Sequence, residues 1–206
     1  THHSLKKFLV LDWDAHFGNG TAYTYYSDPT VLYISIHQDP RTLYPGVGFA
    51  HEIGSGDGLG FTVNIPLPPG SGDFCYLLAL KEIFIPLAQE FQPEIILISA
   101  GQDAHYADPI ANLQVTTNGF AQITKIVNDV AENVCNGKIV ACLEGGYNRE
   151  ALAQSILAVI SQFAKINVEL NKFQQPLEEE LEIKSEVRKC IDEVKLLLSE
   201  YWNCFK

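Results

Sequence analysis

The sequence is poor in basic residues and has no long apolar run. Its 14 Lys and Arg residues stand against 25 Asp and Glu residues, which gives a formal net charge of −11. Nucleic-acid binding requires a basic surface, so we expect no direct contact with nucleic acid. No apolar run approaches the ~20 residues of a membrane span, and the first residues do not resemble a signal peptide. We therefore expect no membrane contact.

Paired cysteines are also missing. The five cysteines are odd in number and scattered along the chain, and no Cys-x-x-Cys pair occurs. Reduced thiols in a cytoplasmic protein are the interpretation that this pattern favours. Cys142 lies inside an apolar, strand-like run, and we predict that its side chain belongs to the core.

Apolar, β-branched runs alternate with helical patterns along most of the chain. This alternation predicts βαβ units, and hence an α/β fold with a mostly parallel sheet flanked by helices. The strand-like runs are residues 8–11, 31–36, 61–65, 94–99 and 139–143. The helical patterns cover residues 74–91, 120–134 and 149–166, with a kink expected at Pro86.

The composition changes near residue 171, and we place a boundary there. Residues 1–170 are expected to form one domain, and residues 171–206 a linker and a C-terminal helix. Gln174-Gln175-Pro176 is typical of a linker. Apolar residues recur at helical spacing from 181 to 202, which predicts one amphipathic helix. That helix is expected to pack on the domain or on a second subunit.

The segment that follows the first predicted strand carries two carboxylates and an imidazole. Alternate residues of an extended chain point to the same side, so Asp12, Asp14 and His16 are expected to lie together. Ligands bind at the carboxyl ends of the strands in open parallel sheets. One Asp and one His can hold a metal ion but need a third ligand. Taken alone, the motif fits a solvated turn equally well.

Two later strands supply the missing parts of a metal site. Asp103 follows the run 94–99, and Tyr147 follows the run 139–143 in a glycine-rich turn. Asp14, His16 and Asp103 would leave an open coordination position, as catalytic metal sites do. These ligands suit Zn²⁺, with Fe²⁺ or Mn²⁺ as alternatives. A phenol at Tyr147 can donate a hydrogen bond to a carbonyl oxygen that becomes an oxyanion, which suits amide hydrolysis.

Three ordered motifs resemble those of the histone deacetylase and acetylpolyamine amidohydrolase family, which has the arginase–deacetylase fold. Residues 12–20 resemble the family's DxDxHxGNG motif. Residues 99–105, followed by Asp108-Pro109, resemble its SAGFDAH…DP motif, with Gln102 where the family has Phe. Residues 144–147 resemble its EGGY turn. The resemblance runs from about residue 7 to residue 166 and matches the C-terminal half of the family's catalytic domain.

The resemblance implies roles for individual residues. Asp14, His16 and Asp103 are implied to bind zinc, and Tyr147 to stabilise the tetrahedral intermediate. Asp12 is implied to hydrogen-bond a catalytic histidine. A structural potassium ion is implied next to the zinc ligands, held by Asp12, the Asp14 backbone, His16, Ser35 and the Ile36 backbone.

Two further groups of residues receive roles from the resemblance. Tyr44 and Ile110 fall where the family lines its acyl-lysine tunnel, and we assign Gly146 to substrate binding with them. A second cation site is implied near Tyr25, Asp28, Val31 and Phe61.

The family's general base and acid are a tandem histidine pair that lies upstream of the DxDxH motif, in an RPPGHHA-like loop. His2-His3 is the only pair present, and His3 lies nine residues before Asp12 without the Pro-Gly context. We interpret that pair as the end of a helix or loop that leads into the first strand. Residues 1–170 are therefore expected to form a partial deacetylase-like catalytic domain, which lacks its N-terminal strands and has an apolar edge strand prone to association.

Three functions compete on these observations. The first is a metal-dependent amidohydrolase that removes acetyl or other acyl groups from lysine side chains, polyamines or other small amines. The second is a catalytically incomplete fragment or split-protein subunit, which keeps the metal site and needs a complementing N-terminal half or a homo-oligomer. The third is an arginase-type ureohydrolase with paired Mn²⁺ ions. It ranks lowest, because residues 101–105 offer one Asp and Tyr147 would have no role.

Overall fold

The computed structural model describes residues 4–170, 172–173 and 179–206. The interpretations of His2-His3 and of Gln174-Gln175-Pro176 lie outside the described residues. The strands are β1 (Phe8–Asp12), β2 (Val31–Gln38), β3 (Thr62–Leu67), β4 (Ile95–Ala100) and β5 (Ile139–Leu143). The α-helices are α1 (Asn19–Thr24), α2 (Asp73–Ala79), α3 (Ile85–Phe91), α4 (Thr117–Cys135), α5 (Arg149–Phe163) and α6 (Leu181–Leu198).

The five strands form one parallel sheet in the order β3-β2-β1-β4-β5. The predicted α/β fold with a parallel sheet and flanking helices is therefore confirmed. Asp12, the last residue of β1, lies in register with Ser35 of β2 and Ser99 of β4. Because all five strands run in one direction, the loops after β1, β4 and β5 emerge at the same edge of the sheet.

The two faces of the sheet are covered unequally. Alternate residues of β1 to β4, such as Leu9 and Leu11 of β1, belong to a large core cluster with α2, α3, α4 and α6. The opposite face carries a small cluster, built around Val10 and Tyr33 with Ala22 of α1. Burying each of these large side chains stabilises the fold by roughly 1.5–3 kcal/mol relative to leaving it exposed. Most of the apolar stabilisation therefore comes from the first face.

The outer strand β5 is much more exposed than its sequence suggests. Val140 and Leu143 are 49% and 58% exposed, and Cys142 is also exposed. The prediction that Cys142 belongs to the core is wrong. Within the described residues β5 pairs only with β4, so an apolar run that is typical of a central strand lies here at an edge. Such an edge offers its main chain to another polypeptide.

The helical region before β4 is continuous but irregular. Its first segment ends at Ala79, a π-helical turn follows over Leu80–Phe84, and α3 begins at Ile85. Pro86 lies in the first turn of α3, where a missing N–H is tolerated. The irregularity expected at Pro86 therefore takes the form of a π-helical turn just before it.

The C-terminal helix packs on the domain. Val187, Ile191 and Val194 of α6 are buried in the large core cluster, and the helix contacts β3. The helix ends at Leu198, so Trp202 lies beyond it, where its indole Nε1 donates to the carbonyl of Gly60 at 2.8 Å. In the part of the chain that the structure describes, no helix combines the length and apolar character needed to cross a bilayer.

A buried histidine makes the stability of the fold sensitive to acid. His105 is 1% exposed and packs against Tyr106, Phe120 and Phe173. Its Nδ1 accepts a hydrogen bond from the amide of Ala107 at 3.0 Å. Burial lowers the pKa of His105 from 6.5 to about 4, although Asp108 acts in the opposite direction.

The folded chain therefore takes up the His105 proton at lower pH than the unfolded chain does. The resulting stabilisation is complete above pH 6.5 and is lost as the pH falls to 4, about 3 kcal/mol in all. We expect His105→Asn, whose Oδ1 can replace Nδ1, to show a shallower fall in the free energy of unfolding over this range. Urea unfolding between pH 7 and pH 4 measures it, with the exposed His51→Asn as control. Parallel pH curves for wild type and His105→Asn would contradict the assignment.

Candidate metal centre

Three side chains converge at the carboxyl edge of the sheet. His16 Nδ1 lies 3.1 Å from Asp14 Oδ1 and 2.9 Å from Asp103 Oδ2. One ligand atom from each of the three residues lies within 4.8 Å of the others. Asp103 is fully buried, whereas Asp14 and His16 are partly exposed. The spacing and the donor types are those of a site that can hold one divalent ion.

Main-chain amides fix the two carboxylates. Asp103 Oδ1 accepts a hydrogen bond from the amide of Ala15 at 2.8 Å, which ties the loop after β4 to the loop after β1. Asp14 Oδ2 accepts from the amide of Gly145 at 2.9 Å, which ties in the loop after β5. Each carboxylate keeps an oxygen directed at His16. The ligands are therefore held in place by the three strand ends that carry the motifs.

Two glycines let the loops approach the ligands. A Cβ atom on Gly101 would overlap Asp14 Oδ2, and one on Gly145 would overlap Asp103 Oδ2. Both glycines belong to motifs that the sequence analysis singled out, but their close approach to the carboxylates becomes visible only in three dimensions. Any larger residue at either position would displace one of these carboxylates.

The charges at this centre favour a cation. Hydrogen bonds from His16 to Asp103 and Asp14 raise the pKa of His16 to about 10, against a smaller effect of burial. Burial raises the pKa of Asp103, and the neighbouring Asp14 charge acts in the same direction. Two carboxylates thus compete for one imidazolium proton in a confined space. A divalent ion would take the place of that proton, so the residues fit a metal ion and its binding would release a proton.

Asp12 lies behind the triad rather than with it. Its side chain is 3% exposed, and Oδ2 accepts a hydrogen bond from the Tyr33 hydroxyl at 2.8 Å. Burial raises the pKa of Asp12 to about 8, despite the lowering effect of Tyr33. Ser35 lies beside Asp12 in the sheet, and its Oγ contacts Nδ1 of the buried His37 at 2.8 Å. Asp12 and Ser35 are thus neighbours, and a monovalent cation beside them would favour the ionised Asp12 carboxylate. The potassium site itself remains a prediction.

Neither Tyr33 nor His37 is among the residues predicted for the site, yet both lie behind it. His37 Nε2 contacts the carbonyl of Gly48 at 2.8 Å, so Nε2 carries the proton and Nδ1 accepts from Ser35. Burial lowers the pKa of His37 to about 4, which keeps the ring neutral. Strand alternation places Tyr33, Ser35 and His37 on one side of β2, and that pattern is the signal that could have found them.

The triad opens into a cavity of about 610 Å³. Tyr147 lines this cavity and is 52% exposed. Burial and the charges of Asp103, Asp14 and Asp108 raise the pKa of Tyr147, so its hydroxyl stays protonated and able to donate. The other lining residues are Asp12, Asp14, His16, Phe17, Gly18, Asn19, Gly20, Thr21, Tyr44, Ser99, Leu143, Glu144, Gly145 and Gly146.

The residues predicted for substrate contact separate into two groups. Tyr44, 74% exposed, and Gly146 lie on the wall of the cavity. Ile110, 45% exposed, is outside the described wall and lies in the loop after β4. Gln102, which stands where the family motif has Phe, is buried and faces a second cavity, between β5, α4 and α5.

The second cation site predicted from the resemblance remains a prediction. Tyr25, Asp28 and Val31 lie in one turn, in which the amide of Asp28 donates to the carbonyl of Tyr25 and the amide of Val31 to that of Asp28. The carbonyl of Phe61 accepts from the amide of Tyr33. The structure therefore brings the first three residues together, with the carbonyls of Tyr25 and Asp28 already engaged in hydrogen bonds.

The fold and the site define a class of protein, an α/β domain with a carboxylate–imidazole metal centre at the carboxyl edge of a parallel sheet. A family profile described as the histone deacetylase domain matches residues 1–163. The chain therefore belongs to the histone deacetylase family.

Individual relatives agree with this membership. A protein of Archaeoglobus fulgidus named "Probable deacetylase" is 44% identical over 210 residues, covering 98% of this chain and 57% of the relative. The "Histone deacetylase 10, chloroplastic" of Oryza sativa is 42% identical, covering 96% of this chain and 44% of the relative. The chain thus spans about half the length of these relatives.

A solved structure supports the same conclusion. The crystal structure of the HDA15 HD domain matches with a TM-score of 0.85 at 34% identity, covering 98% of this chain and 52% of that one. At this similarity both the fold and the family are shared.

Proposed function

We propose that this chain forms the metal-binding part of a hydrolase that removes acetyl or other acyl groups from amines. The observation that carries the proposal is the convergence of Asp14, His16 and Asp103 beside the hydroxyl-bearing Tyr147, at the edge of a cavity. The names of the relatives, which are deacetylases, support the reaction class. The proposed substrate is an acylated amine such as an acetylated lysine side chain or a polyamine.

Zn²⁺ is the proposed ion, with Fe²⁺ as the alternative. Two carboxylates and one imidazole form a compact set of hard and intermediate donors, which suits either ion. A bound divalent ion would polarise the acyl carbonyl and make a water molecule easier to deprotonate. Asp14, His16 and Asp103 would hold it. We also propose a structural K⁺ held by Asp12, Ser35 and the Ile36 backbone, next to this triad.

Tyr147 is the proposed electrophilic partner of the metal. Its protonated hydroxyl can donate a hydrogen bond to the acyl oxygen as negative charge develops there, which lowers the barrier to attack. Tyr44, Gly146 and Ile110 are proposed to line the path of the acylated side chain. The exposed aromatic ring of Tyr44 would contact the apolar stem of a lysine.

A second candidate, the incomplete fragment or split-protein subunit, rests on one observation about the cavity wall. His16 is the only imidazole among its described residues, and His16 belongs to the ligand triad. In this alternative, an imidazole general base comes from another polypeptide segment, outside the described wall. The exposed apolar edge of β5 is the proposed docking position for such a complementing half, because a strand could pair there. A second copy of this chain is the alternative occupant, and the cytoplasm stays the proposed compartment.

The proposed function is tested on the purified chain by elemental analysis and a fluorogenic acetyl-lysine assay on the same sample. We expect about one Zn²⁺ or Fe²⁺ per chain. Turnover by the chain alone would support a working hydrolase and remove the need for a complementing half. Metal without turnover would support the ligand triad and the incomplete-subunit alternative, since general acid–base catalysis contributes typically 10²–10⁴-fold. Absence of bound metal after incubation with either ion would contradict the proposal.

A further inference from the structure

The turn that carries Tyr147 is fastened to the loop after β4 at three points. The amide of Gln102 donates to the carbonyl of Gly145 at 2.7 Å. The Asn148 side-chain amide donates to the carbonyl of Ala107 at 2.9 Å. Between these two contacts, the amide of Tyr147 itself donates to Asp108 Oδ2 at 2.7 Å. Of the three contacts, this central one is the contact whose acceptor is a side-chain oxygen.

Both oxygens of Asp108 are in use, each for a different loop. Oδ1 accepts a hydrogen bond from the amide of Ile110 at 2.9 Å, two residues along its own loop. The main-chain amide of Asp108 donates to the carbonyl of His105 at 2.8 Å, and the residue is 8% exposed. These contacts fix the orientation of the carboxylate. Oδ2 is thereby held in the position at which it accepts the hydrogen bond from the Tyr147 amide.

Other restraints on Tyr147 are weak. Its ring is 52% exposed, and within the described residues its hydroxyl makes no hydrogen bond. Two glycines precede it, and Gly146 has φ of +143°, a conformation that other residues rarely adopt. Gly145 and Asn148 are hydrogen-bonded on either side, and the contact that Tyr147 itself makes is the one from its amide to Asp108.

We propose that Asp108 is a positioning residue for Tyr147, which holds the phenol over the metal centre by anchoring its main-chain amide. The inference rests on the proposed function, because the position of Tyr147 matters only if its hydroxyl donates a hydrogen bond to the acyl oxygen. The competing interpretation is that Asp108 serves its own loop alone, through the amide of Ile110. The two roles use different oxygens of one carboxylate, so they can be separated.

Asp108→Asn separates the two roles. Its amide oxygen can still accept from Ile110, as Asn does in such turns, but its NH₂ group then faces the Tyr147 amide, donor against donor. We expect hydrogen exchange of the Tyr147 amide to become at least about tenfold faster, with the Ile110 amide unchanged. NMR on the purified chain measures both rates, and Asp57→Asn, at an exposed Asp in another loop, is the control. Unchanged exchange at Tyr147 in folded Asp108→Asn would overturn the proposal.

Turnover supplies a second, separate readout. We expect Asp108→Asn to lower kcat about tenfold with little change in KM or metal content. In a protein that already carries Tyr147→Phe, we expect Asp108→Asn to lower kcat by less than about twofold further. Equal losses in both backgrounds would show that Asp108 does not act through Tyr147. This arm uses the acetyl-lysine assay in whichever form of the protein is active. If no form turns over, the proposed function fails, whereas the exchange experiment still decides whether Asp108 anchors Tyr147.

Discussion

Asp14→Asn is expected to lower the affinity of the chain for Zn²⁺ by at least about a hundredfold. Replacing outer partners of metal ligands typically costs 10–100-fold, and a direct ligand should cost no less. Burial alone would raise the pKa of Asp14, but hydrogen bonds from His16 and from the amide of Gly145 keep it below its usual value. Asp14 is therefore ionised at neutral pH, and the substitution removes a full negative charge from the centre.

Asp14→Asn should also break one of the main-chain hydrogen bonds that Asp14 accepts. Asp14 Oδ1 accepts from the His16 amide at 2.8 Å and Oδ2 from the Gly145 amide at 2.9 Å. Asn can match one of these contacts but presents its NH₂ group to the other amide, in either orientation. The loop after β5 should therefore loosen together with the loss of metal.

Competition with a chromophoric chelator measures the affinity, and elemental analysis gives the stoichiometry. Asp129→Asn, at an exposed residue of α4 that pairs with Lys125, is the matched control and should bind metal like the wild type. Urea unfolding in the presence of chelator checks that Asp14→Asn is folded. Wild-type stoichiometry and affinity in folded Asp14→Asn would remove Asp14 from the ligand set.

Tyr147→Phe is expected to lower kcat by about 10²–10³-fold while the metal content stays at the wild-type level. Removing one donor to a developing oxyanion costs this much in other hydrolytic enzymes. The substitution deletes a hydroxyl that makes no hydrogen bond within the described residues and leaves a ring that is half exposed, so the free energy of unfolding should change little. Steady-state kinetics on an acetyl-lysine peptide, in the form of the protein that turns over, gives kcat and KM.

The control for this experiment is Tyr23→Phe, at an exposed tyrosine of α1 outside the cavity wall. It should retain wild-type kcat. A Tyr147→Phe variant with wild-type kcat would exclude the phenol from the reaction and would leave the metal centre unaffected. Loss of metal in Tyr147→Phe would instead assign the residue to the structure of the site.

Much of the architecture follows from local sequence. The five apolar runs became the five strands with ends shifted by at most two residues, because a strand buried between helices requires a continuous apolar run. The helices α4 and α5 were predicted from their apolar spacing in the same way. The end of α6 was not predicted correctly. Trp202 continues the helical spacing of apolar residues, but it lies beyond the last residue of the helix, where its indole donates a hydrogen bond to the carbonyl of Gly60.

The ligand triad was also accessible from the sequence. Asp14, His16 and Asp103 each follow a strand-like run, and the carboxyl ends of parallel strands share an edge. The contacts behind them were not accessible. Tyr33 on Asp12 and Asp108 on the Tyr147 amide join residues 21 and 39 positions apart. Strand alternation singles out Tyr33 and a motif includes Asp108, but neither pattern indicates the group that each side chain contacts.

The sequence by itself determined the kind of secondary structure, the direction of the strands and the residues that meet at the metal centre, since these depend on periodicity and on motifs at strand ends. Only the tertiary structure decided the neighbours of each strand, and with them burial. Cys142 lies in a run as apolar as that of a central strand, yet it is exposed because β5 is the outer strand of the described sheet. Strand order depends on contacts between distant segments, and hydrophobicity along one segment does not record them.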